Sequence, residues 1–337
     1  STCADLPCPY CNYIVSKTGL PDGITRFNQI SDAITAVDEA TYNQIICLEE
    51  GEWEGFNSHG RNLLDGQPSS YDEMTPPFTI TSTDPHNQKV VENTVIRHSP
   101  TYTHCGSAHF VSAFGICYMR GLTFRDQVRC GERSLDMSET EYWGNKQLHV
   151  EFHRCRFGQP SSTPYNTGYC ADTYGNGMNS DCRAIISVES AVSELAHQSD
   201  AHLAQWVIVQ LIDCVIDDQM QAGGMSGVQM DYPQLPDHPD AYWFMGYPIS
   251  DDNNPAVSFG MHQSIITNVN TESYHDPYCA GIQNWTDNPN WVTCDMYHQA
   301  TGECVYVKNS TICNNNGKNI TGPYHDAGGN TIQDQCP

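Results

Sequence analysis

The stretch that decides the fold is VQLIDCVI, residues 209–216, with apolar side chains at its first, third, sixth and eighth positions. Alternation with a period of two is typical of a β-strand that buries one face. The two residues between the third and sixth positions allow the strand to bend, and the same face points inward before and after the bend. The octet therefore predicts a bent stretch of strand with one continuous buried face.

The same octet recurs along the chain at unequal intervals. The other copies are CYMRGLTF (117–124), VEFHRCRF (150–157), FGMHQSII (259–266) and VYVKNSTI (305–312), with a weaker copy in KVVENTVI (89–96). The sixth position of the five strong copies always holds a fairly small residue, as a crowded interior stack would require: Leu122, Cys155, Cys214, Ser264 and Ser310. These copies predict repeats that stack on one another.

The spacing of the copies favours a solenoid over a sandwich. Successive copies start 28, 33, 59, 50 and 46 residues apart, a scale typical of repeats that bury their apolar face against the next repeat. Residues 158–182 and 230–255 are predicted to be long loops, the first of them tied by Cys170 and Cys182. A jelly roll or an immunoglobulin-like sandwich would instead need tight hairpins at regular intervals of about 8 to 12 residues.

One helix is predicted near the start of the chain, before the first repeat. In RFNQISDAITAVDEA (26–40), Phe27, Ile30, Ile34 and Val37 recur at helical intervals and define one apolar face.

The order of these segments resembles the right-handed parallel β-helix proteins of the pectin-lyase-like group. The resemblance rests on the helix followed by IICLEEGEWEG (45–55), FTITSTD (78–84), VVENTVIRHS (90–99) and MRGLTF (119–124), and on GGNTI (328–332) near the end. It implies an all-β, right-handed parallel β-helix with an N-terminal capping helix and long disulfide-tied loops. The expected domains are a Cys-rich extension over 1–23 and the β-helix over 24–337.

The cysteine content predicts an oxidising environment and secretion. All sixteen cysteines are expected to form disulfides of unknown pairing: Cys3, Cys8, Cys11, Cys47, Cys105, Cys117, Cys130, Cys155, Cys170, Cys182, Cys214, Cys279, Cys294, Cys304, Cys313 and Cys336. CPYC (8–11) resembles a glutaredoxin tetrapeptide, but it precedes any recognisable element, so a structural disulfide is expected there. Three sequons, at Asn284, Asn309 and Asn319, predict a glycoprotein located outside the cell or on its surface.

The charge excludes some classes of partner. Fifteen Lys and Arg residues against forty Asp and Glu residues give a formal charge of −25, and such a chain repels nucleic acid and anionic membranes. No apolar run is long enough to predict a membrane span. No cofactor is predicted. Calcium is the one cation that the acidic turns LEEGEWEG (48–55) and SDDNNP (250–255) would favour, although neither has the spacing of a known calcium loop.

The catalytic motifs of the β-helix enzymes are missing from the sequence. Polygalacturonase-like, pectate-lyase-like and pectin-esterase-like signatures are each incomplete, and no nucleophile elbow is present. We therefore predict no catalytic and no metal residues, which disfavours an enzyme. If the chain is nevertheless a polysaccharide lyase or hydrolase, the fallback candidates are Arg154, Arg156, Asp217, Asp218 and His262.

The expected function is therefore structural. A secreted β-helix without enzyme motifs predicts a self-associating subunit of an extracellular filament, appendage, wall or sheath. The alternatives are a polysaccharide-active enzyme on the same fold and a glycan-binding adhesin that uses exposed aromatic residues such as Tyr242 and Trp243.

Overall fold

The structure is a computed structural model. It describes residues 10–38, 44–54, 78–97, 107–109, 115–125, 127–130, 146–158, 184–189, 205–217, 226–231, 257–269, 281–284, 305–315, 318–322 and 324–337. Within these residues the fold is all-β, with two short helices and three sheets in which every strand pair is parallel. The predicted fold class is confirmed at this level.

The largest sheet, called the long sheet below, has ten strands. In spatial order they are β2 (Arg26–Phe27), β1 (Tyr13–Val15), β3 (Gln44–Leu48), β5 (Phe78–Ser82), β8 (Gly115–Arg120), β11 (Lys146–His153), β14 (Gln205–Ile212), β17 (Val257–His262), β20 (Val305–Lys308) and β23 (His325–Asp326). Because β1 lies between β2 and β3, part of the predicted N-terminal extension is integral to this sheet.

The second sheet has eight strands and the third has six. The second contains β4 (Gly51–Glu54), β6 (Thr94–Arg97), β9 (Thr123–Phe124), β12 (Arg156–Phe157), β15 (Val215–Asp217), β18 (Ile265–Thr267), β21 (Thr311–Cys313) and β24 (Thr331–Gln333). The third contains β7 (Ser107–His109), β10 (Gln127–Cys130), β13 (Ala184–Glu189), β16 (Ser226–Asp231), β19 (Ile282–Asn284) and β22 (Ile320–Thr321).

Each strong octet supplies one strand to the long sheet and one to the second sheet, and equivalent positions pair in register. Val209 pairs with Val150 on one side and with Phe259 on the other, so octet aligns with octet. First and third positions are buried throughout, as the period-two pattern predicts. Buried residues of all three sheets and of helix α1 (Ile30–Asp38) form one hydrophobic cluster.

Three phenylalanines join the long sheet to the second sheet in this core. Phe152 of β11 lies with its ring centroid 5.7 Å from that of Phe124 and 5.2 Å from that of Phe157, in edge-to-face contacts. Phe124 and Phe157 are stacked at 5.1 Å. All three side chains are 0–2% exposed, so this trio is a well-packed part of the interior.

The fifth octet position turns the corner between the two sheets in a left-handed conformation. Its φ values are 58° at Gly121, 54° at Arg154, 55° at Asp213, 49° at Gln263 and 49° at Asn309. Only one of the five residues is glycine, although a left-handed conformation costs other residues about 1–2 kcal/mol. The corner is therefore imposed by the packing on either side of it.

The sixth position forms a hydrogen-bonded ladder inside the same corner. The backbone N–H of each residue donates to the side chain of its equivalent in the next repeat: Cys155 to Cys214 Sγ (3.4 Å), Cys214 to Ser264 Oγ (3.0 Å), Ser264 to Ser310 Oγ (3.2 Å) and Ser310 to Asn330 Oδ1 (2.9 Å). We call these residues the corner ladder. The predicted interior stack is confirmed, and its small residues also satisfy buried backbone donors.

Replacing Gln263 by glycine is expected to stabilise the protein by about 0.5–1 kcal/mol. The exposed Gln263 side chain has no described contact, and glycine removes the left-handed penalty while losing more entropy on folding. Urea unfolding of the variant measures the change. Gln263→Ala is the control and should give no gain, because alanine keeps the penalty; equal stabilisation by both variants would contradict the explanation.

Two sequence predictions need correction. The weak copy KVVENTVI is a strand only in its second half, because residues Gln88–Asn93 form helix α2. Asn87 caps this helix by accepting a hydrogen bond from the Lys89 N–H, and Thr94 Oγ1 donates to Val90 O at its other end. In the segment 26–40, where the sequence predicts a helix with Phe27 on its apolar face, α1 begins only at Ile30, and Arg26 and Phe27 belong to strand β2.

The prediction that every cysteine forms a disulfide is wrong for Cys155 and Cys214. Both are buried thiols of the corner ladder, and each Sγ donates to a backbone carbonyl, Cys155 to Met119 O and Cys214 to Phe152 O. Burial, followed by the neighbouring Cys214, raises the pKa of the Cys155 thiol.

The two disulfides among the described residues are Cys11–Cys47 and Cys313–Cys336. They confirm the structural role predicted for Cys11. Its tetrapeptide partner Cys8 and the predicted pair Cys170 and Cys182 lie outside the described residues.

Candidate functional site

The outer face of the long sheet carries a group of ionisable side chains on neighbouring strands. Because the first and third octet positions point into the core, the second and fourth point outward. The second positions of the five octets, together with His325 of β23, form one row across the sheet. The row consists of Tyr118, Glu151, Gln210, Gly260, Tyr306 and His325. The fourth positions form a parallel row of Arg120, His153, Ile212, His262 and Lys308, which we call the basic stripe.

Glu151 stands at the centre of this face between two histidines of its own strand. His153 Nε2 lies 2.8 Å from Glu151 Oε2 with hydrogen-bond geometry. His149 Nε2 lies 3.1 Å from Glu151 Oε1, but it does not have hydrogen-bond geometry, and this nitrogen is inaccessible to solvent. The Glu151 and His149 side chains are only 18% and 15% exposed, so the carboxylate is held in a half-buried setting.

The pKa of His149 is lowered from its ordinary value. Burial is the main cause, because the charged imidazolium loses hydration, while the Glu151 carboxylate acts in the opposite direction. His149 is therefore neutral at pH 7.

Aromatic rings flank the cluster on both sides along the row. Tyr118 lies 6.5 Å from the His153 ring, and the Arg120 guanidinium lies 5.8 Å from the Tyr118 ring centroid. On the other side Tyr306 is 5.2 Å from His262 and stacks on His325 at 5.4 Å. Gly260 interrupts the row between Gln210 and Tyr306 and leaves one position without a side chain.

The pKa of His262 is also lowered, first by burial and then by the neighbouring Lys308, with Glu151 opposing both effects. His262 is thus a neutral member of the basic stripe at pH 7, next to Lys308. This is one fallback candidate that the structure places on the outer face of the long sheet.

The arginines among the other fallback candidates lie at the corner and on the second sheet, where they form ion pairs. Arg154 Nε is 3.0 Å from Asp213 Oδ2, and the Arg154 guanidinium also contacts the His86 ring. Arg156 Nη1 is 2.9 Å from Glu92 Oε1. Surface ion pairs of this kind explain both arginines without catalysis.

Asp217 is engaged with a neighbouring repeat. Its Oδ1 accepts a hydrogen bond from Asn268 Nδ2 at 2.9 Å, so its carboxylate links neighbouring repeats at the end of β15. Asp218 lies outside the described residues. The four described fallback candidates therefore have separate contacts, with Arg154 on Asp213, Arg156 on Glu92, Asp217 on Asn268 and His262 beside Tyr306.

The acidic turn after β3 is engaged with protein groups. Glu49 accepts from Ser16 Oγ at 2.5 Å, Glu50 from Asn93 at 2.7 Å, and Glu52 pairs with Arg125 at 3.0 Å. Across the part of the chain that the structure describes, no three His, Cys, Asp or Glu side chains are arranged to hold a metal ion. Asp251 and Asp252 of the second acidic turn are outside it.

Sequence reasoning missed the cluster around Glu151. The signal was present in HVEFH (149–153), where His149, Glu151 and His153 alternate and must share one face of a strand. Comparing the fourth positions of the octets would also have found the basic stripe. Both features lie at outward positions and match no motif of the known β-helix enzymes, so neither the inward pattern nor the enzyme motifs indicate them.

The comparisons with known proteins identify no relative. No protein-family model, no curated protein and no solved structure matches this chain. Among the described residues, no helix has the length and apolar character needed to cross a membrane.

Proposed function

We propose that this chain is a secreted right-handed parallel β-helix that serves as a structural subunit of an extracellular filament, appendage, wall or sheath. Three parallel sheets that share one core, with equivalent octets in register, support a single stack of coils. The resemblance to the pectin-lyase-like group supports its right-handed form.

The observation that carries the structural role is the way the two ends of the stack are fastened. Cys11–Cys47 crosses from the segment preceding β1 to β3, and Cys313–Cys336 crosses from β21 to the segment after β24. Between them the corner ladder joins repeat to repeat without covalent bonds. A stack with a disulfide near each of its described ends suits a load-bearing part, and its terminal strands offer backbone edges for joining a neighbour.

The enzyme alternative is supported less well by the geometry. Hydrolysis of a glycosidic bond ordinarily uses two carboxylates that flank the bond, and Glu151 is the single carboxylate in the two described outward rows. The arginine fallback candidates are occupied by ion pairs. The adhesin alternative rests on Tyr242 and Trp243, which lie outside the described residues.

Negative-stain electron microscopy of the native protein at rising concentration tests the proposal. Regular filaments, sheets or end-to-end rods are the expected result. Monomers that stay dispersed up to the concentration found in the native secretion would overturn the structural role and direct the work to polysaccharide cleavage assays.

Secretion with glycosylation leads to a site-specific expectation. Asn309 is exposed at the corner between β20 and β21, whereas Asn319 is 9% exposed and its Oδ1 accepts a hydrogen bond from Asn315 at 3.0 Å. We expect a glycan on Asn309 and none on Asn319. Mass spectrometry of intact glycopeptides from the native protein decides this, and occupancy of Asn319 above that of Asn309 would contradict the packing described. The side chain of Asn284 is not described.

A further inference from the structure

The basic stripe is unusual in a chain of this composition. Four of its five positions, Arg120, His153, His262 and Lys308, are basic, although the whole chain has only 15 Lys and Arg residues. The five positions are register-aligned on neighbouring strands, so the stripe extends over about 19 Å at the usual strand spacing. Arg120 and Lys308, at its two ends, are exposed.

Arginines elsewhere in the structure find carboxylates within the chain. Ion pairs join Arg26 to Glu49, Arg97 and Arg125 to Glu52, Arg154 to Asp213, and Arg156 to Glu92, at 2.9–3.5 Å. By contrast, among the described residues Arg120 lies over the Tyr118 ring, and neither Arg120 nor Lys308 forms an ion pair with a described carboxylate. With respect to the described residues, Arg120 and Lys308 therefore keep their positive charge available to a partner.

The net charge of the chain tells what kind of partner this face suits. Copies with a formal charge of −25 repel one another, so an assembly of them needs a face of opposite sign that can approach acidic surface. The forty acidic residues supply that acidic surface on every copy. Glu151 opposes such an approach, but its side chain is only 18% exposed and its Oε2 lies 2.8 Å from His153 Nε2 with hydrogen-bond geometry.

We propose that the basic stripe is the lateral docking surface for the acidic surface of a second copy of this chain. This inference rests on the proposed assembly function and names the surface that joins neighbouring rods. The docking is electrostatic, so it weakens as salt shortens the range of the interaction.

The test compares two charge-reversed double variants by sedimentation velocity and electron microscopy. Arg120→Glu with Lys308→Glu reverses both ends of the stripe. Lys89→Glu with Lys318→Glu makes the same change in net charge at exposed positions off the stripe. Circular dichroism and thermal unfolding confirm that both variants are folded. We expect the stripe variant to need at least about tenfold more protein for half-assembly, and the control less than about twofold.

Each outcome decides between the inference and the proposed function. Assembly of the stripe variant at the native concentration overturns the inference alone, and so does an equal loss in both variants. A native chain that stays monomeric at every salt concentration overturns the assembly function and the inference together. Retention of a monomeric native chain on immobilised polygalacturonate, lost in the stripe variant, would assign the stripe to an acidic glycan and overturn docking between copies.

Discussion

Replacing Phe152 by alanine is expected to lower the free energy of unfolding by about 3–5 kcal/mol. Phe152 is completely buried and makes edge-to-face contacts with Phe124 and Phe157, so truncation removes both the transfer energy of the ring and two aromatic contacts. The cavity would lie between the long sheet and the second sheet, whose strands on either side are paired and cannot easily close over it. Urea unfolding followed by circular dichroism measures the change.

Two control variants separate the cavity from general effects of substitution. Phe152→Leu retains most of the volume and should cost about 1 kcal/mol. Tyr10→Ala removes an aromatic side chain that is 80% exposed and should change stability by less than about 0.5 kcal/mol. A loss below about 1.5 kcal/mol in Phe152→Ala would mean that the trio is not a packed core.

The double variant Ser264→Ala with Ser310→Ala is expected to lose about 3 kcal/mol. Each hydroxyl accepts from the N–H of the preceding repeat and donates to a carbonyl two residues before it in its own strand, His262 O and Lys308 O respectively. Alanine fills the space but leaves the N–H groups of Cys214 and Ser264 buried and unsatisfied, at about 1–3 kcal/mol each.

The chain itself offers the matched control. In the preceding repeat Cys214 uses its thiol to accept from the Cys155 N–H and to donate to carbonyls. Ser264→Cys should therefore lose less than half as much as Ser264→Ala in the same urea experiment. If cysteine and alanine cost the same, the contribution of the ladder is packing and not hydrogen bonding.

Periodicity predicted the parts of the fold in which apolar side chains face one core. Residues spaced like Val209, Leu211 and Cys214 share one buried face on a strand that bends once. The octet therefore predicts both the strand and its bend. The long sheet, the second sheet and helix α1 follow from such patterns. The third sheet does not, because short strands such as β10 and β19 lie between octets at variable distances and have no repeated sequence.

Local backbone effects account for the remaining misses. Val90 and Val91 of KVVENTVI favour a strand, but the Asn87 cap and the Thr94 hydrogen bond give this part of the segment a helical turn. The left-handed corner could not be read from Arg154 or Gln263, because these residue types seldom adopt it. The free thiols of Cys155 and Cys214 could not be predicted either. Whether a cysteine is buried in the corner ladder depends on the tertiary structure, and the number of cysteines in the sequence does not reveal it.

The direction of the backbone hydrogen bonds has a mechanical consequence. In all three sheets these bonds run from repeat to repeat, so in the proposed rod tension along the axis loads every bond of a boundary at once. In mid-stack, β14 and β17 share six paired residues, whereas β20 and β23 share two at the last described boundary. The proposed rod, if pulled along its axis, would peel from such an end, and there Cys313–Cys336 crosses the boundary with a covalent bond. At the opposite end, where β1 and β2 also share two paired residues, Cys11–Cys47 ties the segment preceding β1 to β3.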